Sequence, residues 1–429
     1  MFNNGRRMNQ PSTLDTGTKA SASSAATSAP ADVPLPRGAL LALSVSAFGS
    51  GISMRVSDPL LPGLAKEFDL TLGHAALVIT VFAVTYGVSQ LVFGLLGDRF
   101  GKYRVIAWGT VACALTTALC SLAPNFEMLL LARALAGASA AAIIPLAMAW
   151  IGDVTSYARR QPILARFMIG QVLGVSAGVL FGGYAADHLH WRAPFASIAV
   201  YFALSGAYLL WLNQRLPADA KRTQAPQGAA IQRMVFEFSQ VIAVPWARVV
   251  LFTVFAEGAS IFGVLAFLVT HLHQVHGIAL STAGQVVMLF GLGGLLFAIS
   301  AYYLVHRLGE VGLCRWGGLL VAGSYVTVAL SADWWWALPA SFLSGLGFYM
   351  LHNTLQINAT QMAPERRGAA VAAFAAAYFM GQSVGVALSG ALITAIGTQG
   401  VILLGALGVT LVSQNFARLM RLHRRQKAS

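Results

Sequence analysis

Glu257, Asp58, Arg55, Arg133 and His352 all stand inside or at the end of long apolar runs. In an apolar phase a charged side chain costs at least ~2.5 kcal/mol on insertion scales, so each one requires a reason. Glu257 follows Arg248 by nine residues, which at ~1.5 Å per residue puts it about 13 Å into a helix. Desolvation disfavours the ionised form of a carboxyl at that depth. Such a group can take a proton from one side and release it to the other. The alternative is a structural hydrogen bond to a neighbouring helix. Asp58 follows Arg55 by three residues, so the two share a helix face and can pair. That pair is either an interfacial ion pair at a helix end or part of a proton or substrate site. Arg133 cannot lose its proton, so it must face a carboxylate, a carbonyl or a watery cavity.

His352 lies in YMLHNTLQIN with Asn353, Gln356 and Asn358. His352 and Gln356 fall on one helix face. This is either a polar stripe lining a cavity, with an imidazole that titrates near neutral pH, or a hydrogen-bonded seam between helices. Tyr86 and Gln90 share another face, and Gln171 and Gln382 stand in two similar segments. All four are cavity candidates. HLHQVH at 271–276 places three histidines where a loop is expected, with no cysteine or carboxylate close by. A solvated interfacial cluster is expected there, not a metal site. Cys113, Cys120 and Cys314 have no ligand spacing and read as small apolar residues. No GxxxxGK[ST] loop occurs, and no catalytic constellation of the soluble type, so the chain is read as a non-enzyme that does not use ATP.

The elements that must position these groups are long apolar helices. The 429 residues are 57% hydrophobic and only 10% charged, against about 25% charged in a soluble globular chain. The fold class expected is all-α integral membrane. Runs of the length needed to cross a bilayer cover 38–57, 74–95, 104–123, 126–150, 163–185, 194–213, 248–270, 280–304, 311–331, 335–358, 368–396 and 398–417. Twelve spans put both termini on one side. Residues 1–36, rich in Ser, Ala, Thr and Pro, are expected to be a disordered tail.

A net charge of +13 raises the possibility of nucleic-acid binding, but the positions of the bases remove the need for it. With the termini cytoplasmic, 24 of the 28 lysines and arginines fall in cytoplasmic segments or tails, as the positive-inside rule requires. Only Lys66 and Arg192 fall opposite, and Arg55 and Arg133 lie within spans. The partners expected are therefore a lipid bilayer, a small-molecule substrate and protons.

Residues 214–247 break the apolar pattern at the midpoint with a polar, basic linker. It separates six-helix halves at 37–213 and 248–417, and a basic tail follows at 418–429. The halves echo one another. Arg99, Gly101, Trp108 and Gly109 return as Arg307, Gly309, Trp316 and Gly317. GQVLGV at 170–175 returns as GQSVGV at 381–386, and SYARRQ as APERRG. Repeated six-helix halves are a transporter architecture with the site near the midplane.

GLLGDRFGKYR at 94–104 carries Gly94, Asp98, Arg99, Gly101 and Lys102 between spans 2 and 3. It resembles motif A of the major facilitator superfamily. LLLARALAGASAA at 129–141, centred on Arg133, resembles that family's motif B. GVSAGVLFGG at 174–183 resembles motif C of the drug:proton antiporter branch, with Val179 where that motif has proline. SDPLLP at 57–62 resembles an Asp-x-x-x-Pro pattern of the same branch. The resemblance covers residues 38–417. It implies a major facilitator fold, a proton or cation-substrate role for Asp58 and a part in proton coupling for Arg133. It also implies a cytoplasmic gate in which Asp98 meets the N-terminal end of helix 11, where the helix dipole favours an anion. The second copy, VHRLGEVG, has His306 at the Asp98 position, so that latch is expected on one side only. Gly174, Gly178 and Gly182, with Gly170 before them and Gly183 after, give helix 5 a smooth face for close packing.

The function expected is proton-coupled efflux of small organic molecules by alternating access, as a monomer in a bacterial cytoplasmic membrane. The proton gradient serves as energy source, with no cofactor or metal. The alternatives are a proton symporter importing a sugar, carboxylate or amino acid, and a non-transporting membrane sensor.

Overall fold

A computed structural model of the chain describes residues 35–221 and 230–428. Most of the expected N-terminal tail and part of the linker lie outside these residues. Among the described residues there are twelve bilayer-length helices and no strand. The first half holds α1 (Ala39–Arg55), α2 (Leu72–Phe100), α3 (Lys102–Leu122), α4 (Phe126–Val154), α5 (Arg159–His188) and α6 (Arg192–Arg215). The second holds α7 (Pro245–His276), α8 (280–308), α9 (310–330), α10 (Ala337–Gln361), α11 (367–396) and α12 (398–428). Between them lies a linker helix, Ala230–Ala243. Both ends of the array fall on one side, called here the terminus side; the other is the far side.

Glycine makes the sharp corners. Gly101 (φ 89°), Gly309 (φ 62°) and Gly397 (φ 70°) join α2 to α3, α8 to α9 and α11 to α12. Residues with a Cβ rarely adopt these angles. Gly101 and Gly309 recur in the two copies because both corners need the same backbone geometry.

Several helices run past their apolar spans. α2 continues to Phe100, α5 begins before 163, α7 reaches His276, and the tail expected after 417 is the helical end of α12. Apolar runs end where charge begins, but a helix continues into water wherever its backbone stays hydrogen-bonded. The arginines and lysines at these ends therefore extend helices already anchored in the bundle.

Each half has its own apolar core, one built mainly from residues 39–220 and the other from 241–420. The halves meet along two seams. α5 lies on α8, where a Cβ on Gly183 would meet the Leu280 carbonyl at 2.6 Å and one on Gly284 the Val179 carbonyl at 2.9 Å. α2 lies on α11, where Gly73 backs onto Gly390, Gly87 faces Phe379 and the Ser383 hydroxyl donates to the Thr80 carbonyl at 3.1 Å. These contacts run from the far side to about mid-depth. Nearer the terminus side, a Cβ on Gly94 of α2 or Gly368 of α11 would meet no atom within 4 Å.

Candidate functional site

Pro59 and Pro62 stop α1 from continuing, and the chain turns at residues 56–60 before a further helical segment, Leu61–Glu67. The turn leaves Asp58 beside the last residue of α1. The Arg55 guanidinium and the Asp58 carboxylate stand 2.7 Å apart, and both residues are fully buried. The pair stands at the far-side end of α1 and is enclosed by protein on all sides. Arg133 of α4, also fully buried, donates from Nε to the Val78 carbonyl at 3.2 Å and from Nη1 to the Ser53 carbonyl at 3.1 Å. Its guanidinium lies over the Phe82 ring at 4.2 Å and within electrostatic reach of Asp58. Two guanidiniums thus serve one carboxylate in the first half.

The second half carries its own pair. Glu257 of α7 is fully buried, and its Oε2 lies 2.9 Å from Nδ1 of His352 in α10. One sequence expectation for each residue, a hydrogen bond to a neighbouring helix, is the arrangement found here. The other Glu257 oxygen, Oε1, has no hydrogen-bond partner among the described residues.

A cluster of rings joins the two pairs across the boundary between halves. The Arg55 guanidinium lies 5.3 Å from the Phe262 ring of α7. Phe262 meets Phe348 at 5.3 Å and Tyr378 of α11 at 5.5 Å, both edge to face. Phe348 stacks on His352 at 5.1 Å, and Tyr378 lies 4.9 Å from the same imidazole. Tyr378 is within electrostatic reach of both Glu257 and Arg55. Sequence reasoning missed these rings, because an aromatic in an apolar run is indistinguishable there from a core or lipid-facing residue.

Of the cavity candidates, Tyr86 is buried and packs on Phe379 of the other half at 4.4 Å. Gln90 and Gln382 are buried, and Oε1 of Gln90, Gln171 and Gln382 has no partner among the described residues. Asn353 is half-buried and Gln356 is exposed, one turn beyond His352 toward the terminus side.

The histidine run does not form the solvated loop expected of it. Residues Leu268–His276 are helical and end at Gly277 (φ 66°). His271 is fully buried, with Nδ1 2.8 Å from the Thr398 hydroxyl and Nε2 3.4 Å from the Val328 carbonyl. The helix carries one more turn than the apolar run, which turns His271 inward. Among the described residues no group of three or more His, Cys, Asp or Glu is placed to hold a metal ion.

Asp187, which sequence reasoning also missed, closes the far side. Its carboxylate oxygens accept from the backbone N–H of Leu280 at 3.2 Å and of Ser281 at 2.7 Å, the first residues of α8. An acid from one half thus caps a helix of the other, where unpaired N–H groups and the dipole favour negative charge. An acid ending a glycine-striped helix was the only sequence signal available.

Residues 43–366 match the family model described as Major Facilitator Superfamily. The chain belongs to the major facilitator superfamily. Among its relatives, the uncharacterised MFS-type transporter YwfA of Bacillus subtilis (strain 168) is 27% identical over 367 residues, 84% of this chain and 87% of YwfA. The multidrug efflux pump LfrA of Mycolicibacterium smegmatis is 29% identical over 188 residues, 44% of this chain and 36% of LfrA. Among solved structures, a bacterial homologue of the human lysosomal transporter Spinster, inward-facing and unoccupied, aligns with a TM-score of 0.67 at 17% identity. That alignment covers 88% of this chain and 94% of the other.

As a major facilitator protein the chain is a membrane transporter, and its motif residues can be placed. In motif A, Lys102 stands 2.7 Å from Asp153 of α4 and 3.4 Å from Asp98. The ion pairs of Asp98 among the described residues go to Lys102, while Arg366, before α11, pairs with Glu237 of the linker helix at 2.9 Å. Arg99 lies over the Phe100 ring, and Gly94 and Gly101 flank the group. In motif C, the glycines meet α1 one turn at a time. Gly170 faces the Ser44 carbonyl, Gly174 that of Phe48, Gly178 that of Ile52 and Gly182 that of Val56. Gly183 points the other way, onto α8. At the copied position of Asp98, His306 hydrogen-bonds, among the described residues, to the Tyr302 carbonyl on its own helix.

Proposed function

We propose that this transporter exports small organic molecules in exchange for protons, by rocking of its two six-helix halves. The observation that supports it is the pairing of a buried acid with a base in each half, Arg55–Asp58 at 2.7 Å and Glu257–His352 at 2.9 Å, on either side of one ring cluster. A carboxylate whose partner is an imidazole can trade that partner for a proton when access to one side opens. The ring cluster offers flat apolar surface to an organic substrate. The unpaired Glu257 oxygen offers an acceptor beside it, and Gln90, Gln171 and Gln382 carry further acceptors without partners among the described residues. On this reading no cofactor is needed and a monomer suffices.

The crowding of lysine and arginine on the terminus side favours a cytoplasmic placement of both termini, in a bacterial cytoplasmic membrane. Contact between the halves on the far side then corresponds to an inward-facing state. The deciding experiment is flux in proteoliposomes, with a panel of organic compounds under an imposed proton gradient. Glu257→Gln is expected to abolish uphill, gradient-driven efflux while retaining downhill exchange. Gradient-driven efflux equal to wild type in that variant overturns the assignment of Glu257. Inward movement of substrate together with protons replaces export by symport.

A further inference from the structure

A cavity lies away from the ring cluster, on the outer surface of the first half. It measures about 430 Å³ and is walled by Phe93, Leu96 and Phe100 of α2 and by Trp108 and Ala112 of α3. Its one charged wall residue is Arg104, the third residue of α3. Phe100 and Trp108 are 47% and 54% exposed, so the cavity opens outward rather than into the bundle. Arg104 is exposed and forms no hydrogen bond or ion pair among the described residues. Arg99, above the Phe100 ring at 5.1 Å, likewise has no anionic partner there. The neighbouring base is different: Lys102 is held by Asp98 and Asp153. One guanidinium without an anionic partner therefore lines a mostly apolar groove whose other polar wall residue is Ser139, and a second lies over its Phe100 wall.

The dimensions fit one occupant. From Arg104 to Ala112 the helix rises about 12 Å, most of the ~15 Å hydrocarbon depth of a single leaflet. The charged end lies at the terminus-side boundary, because α3 starts there. We propose that this groove binds an acidic glycerophospholipid of the terminus-side leaflet. One acyl chain lies along Trp108 and Ala112, and the phosphate sits on Arg104 with Arg99 as second cation. Anionic headgroups are attracted to bases at this level of the membrane, and a guanidinium matches phosphate geometry better than an ammonium does. The copied position in the second half is Gly312, so the site belongs to the first half alone. Its wall is the end of α2 that carries motif A, so an occupied groove holds α2 against α3 beside that motif.

The test uses the full-length protein, purified in mild detergent with equal dioleoyl phosphatidylglycerol and dioleoyl phosphatidylcholine, and native mass spectrometry of retained lipid. Phosphatidylglycerol is expected to be retained in preference by about tenfold. Arg104→Gln is expected to lower its retention about fivefold or more and leave phosphatidylcholine unchanged. Ala112→Phe, which fills the groove and keeps both arginines, should do the same, with thermal unfolding midpoints of both variants matching wild type. Millimolar inorganic phosphate should displace nothing. Equal retention of the two lipids, wild-type retention in both variants, or displacement by phosphate alone overturns the proposal.

Discussion

Asp58 carries an asymmetric electrostatic load, with Arg55 at 2.7 Å and Arg133 also in reach. Removing one partner of a buried pair leaves an uncompensated charge, at ~3–5 kcal/mol, whereas replacing both with apolar groups of similar size is often neutral. Asp58→Asn is therefore expected to lower the thermal midpoint of the detergent-solubilised protein sharply. The double variant Arg55→Met, Asp58→Leu should recover most of that loss and still fail in gradient-driven transport. A single variant as stable as wild type would show that the Arg55 guanidinium does not need an anionic partner at position 58. Stability and transport are expected to separate in this way if, as proposed, Asp58 takes part in proton coupling, because the pair itself is dispensable for packing.

Among the elements, α5 and α1 approach so closely that their contact has no room for side chains. A Cβ on Gly178 would lie 2.7 Å from the Ile52 carbonyl oxygen and 3.0 Å from its Cα, both backbone atoms that cannot swing aside. Gly178→Leu is expected to cost ~3 kcal/mol or more, read as loss of monodisperse protein on size exclusion. Gly94 of motif A is the contrast. Nothing lies within 4 Å of a Cβ built there, and Gly94→Ala should change the thermal midpoint little, within the effect of ~0.5–1 kcal/mol that alanine gains over glycine in a helix. Equal damage by both substitutions would refute this division. Val179, where motif C ordinarily has proline, leaves α5 helical from 159 to 188 and brings its own carbonyl against Gly284 of α8. The helix that packs on α1 thereby also forms a seam with the other half.

At the scale of the molecule, conformation is set by how the two halves meet. Asp187 caps α8 across the far side, and a lost cap costs about 0.5–2 kcal/mol. A change of one or two kcal/mol alters a two-state ratio about 5- to 30-fold. Asp187→Ala is therefore expected to shift the population toward far-side-open forms. Spin labels at Glu67 and Ala391, both exposed, would report it as growth of a longer-distance component. An unchanged distance distribution would mean that the glycine seams alone hold the far side shut. The latch expected between Asp98 and α11 uses the same physics, an anion at a helix N-terminus, on the terminus side. In this structure Asp98 is turned to Lys102, and Arg366 is engaged by Glu237.

Composition and periodicity by themselves determined that this chain spans a membrane twelve times in two related halves. An apolar run of about 20 residues is long enough to cross a bilayer, and a glycine at positive φ recurs at the corner between the second and third helices of each half, Gly101 and Gly309. The identity of the chemically unusual residues was legible for the same reason, since a charge within such a run is conspicuous. Their partners were not. Glu257 and His352 are 95 positions apart, and no local pattern records that α7 and α10 bring them together. Phe262 and Tyr378 read as ordinary apolar residues until the packing of the halves set them between the Arg55–Asp58 and Glu257–His352 pairs. His271 looked solvent-facing because a helix's last turn is decided by tertiary contacts with Thr398 and Val328, not by its own sequence. Hydropathy is a property of each segment and survives in the sequence. Pairing is a property of the distances between segments, and only the folded bundle fixes those.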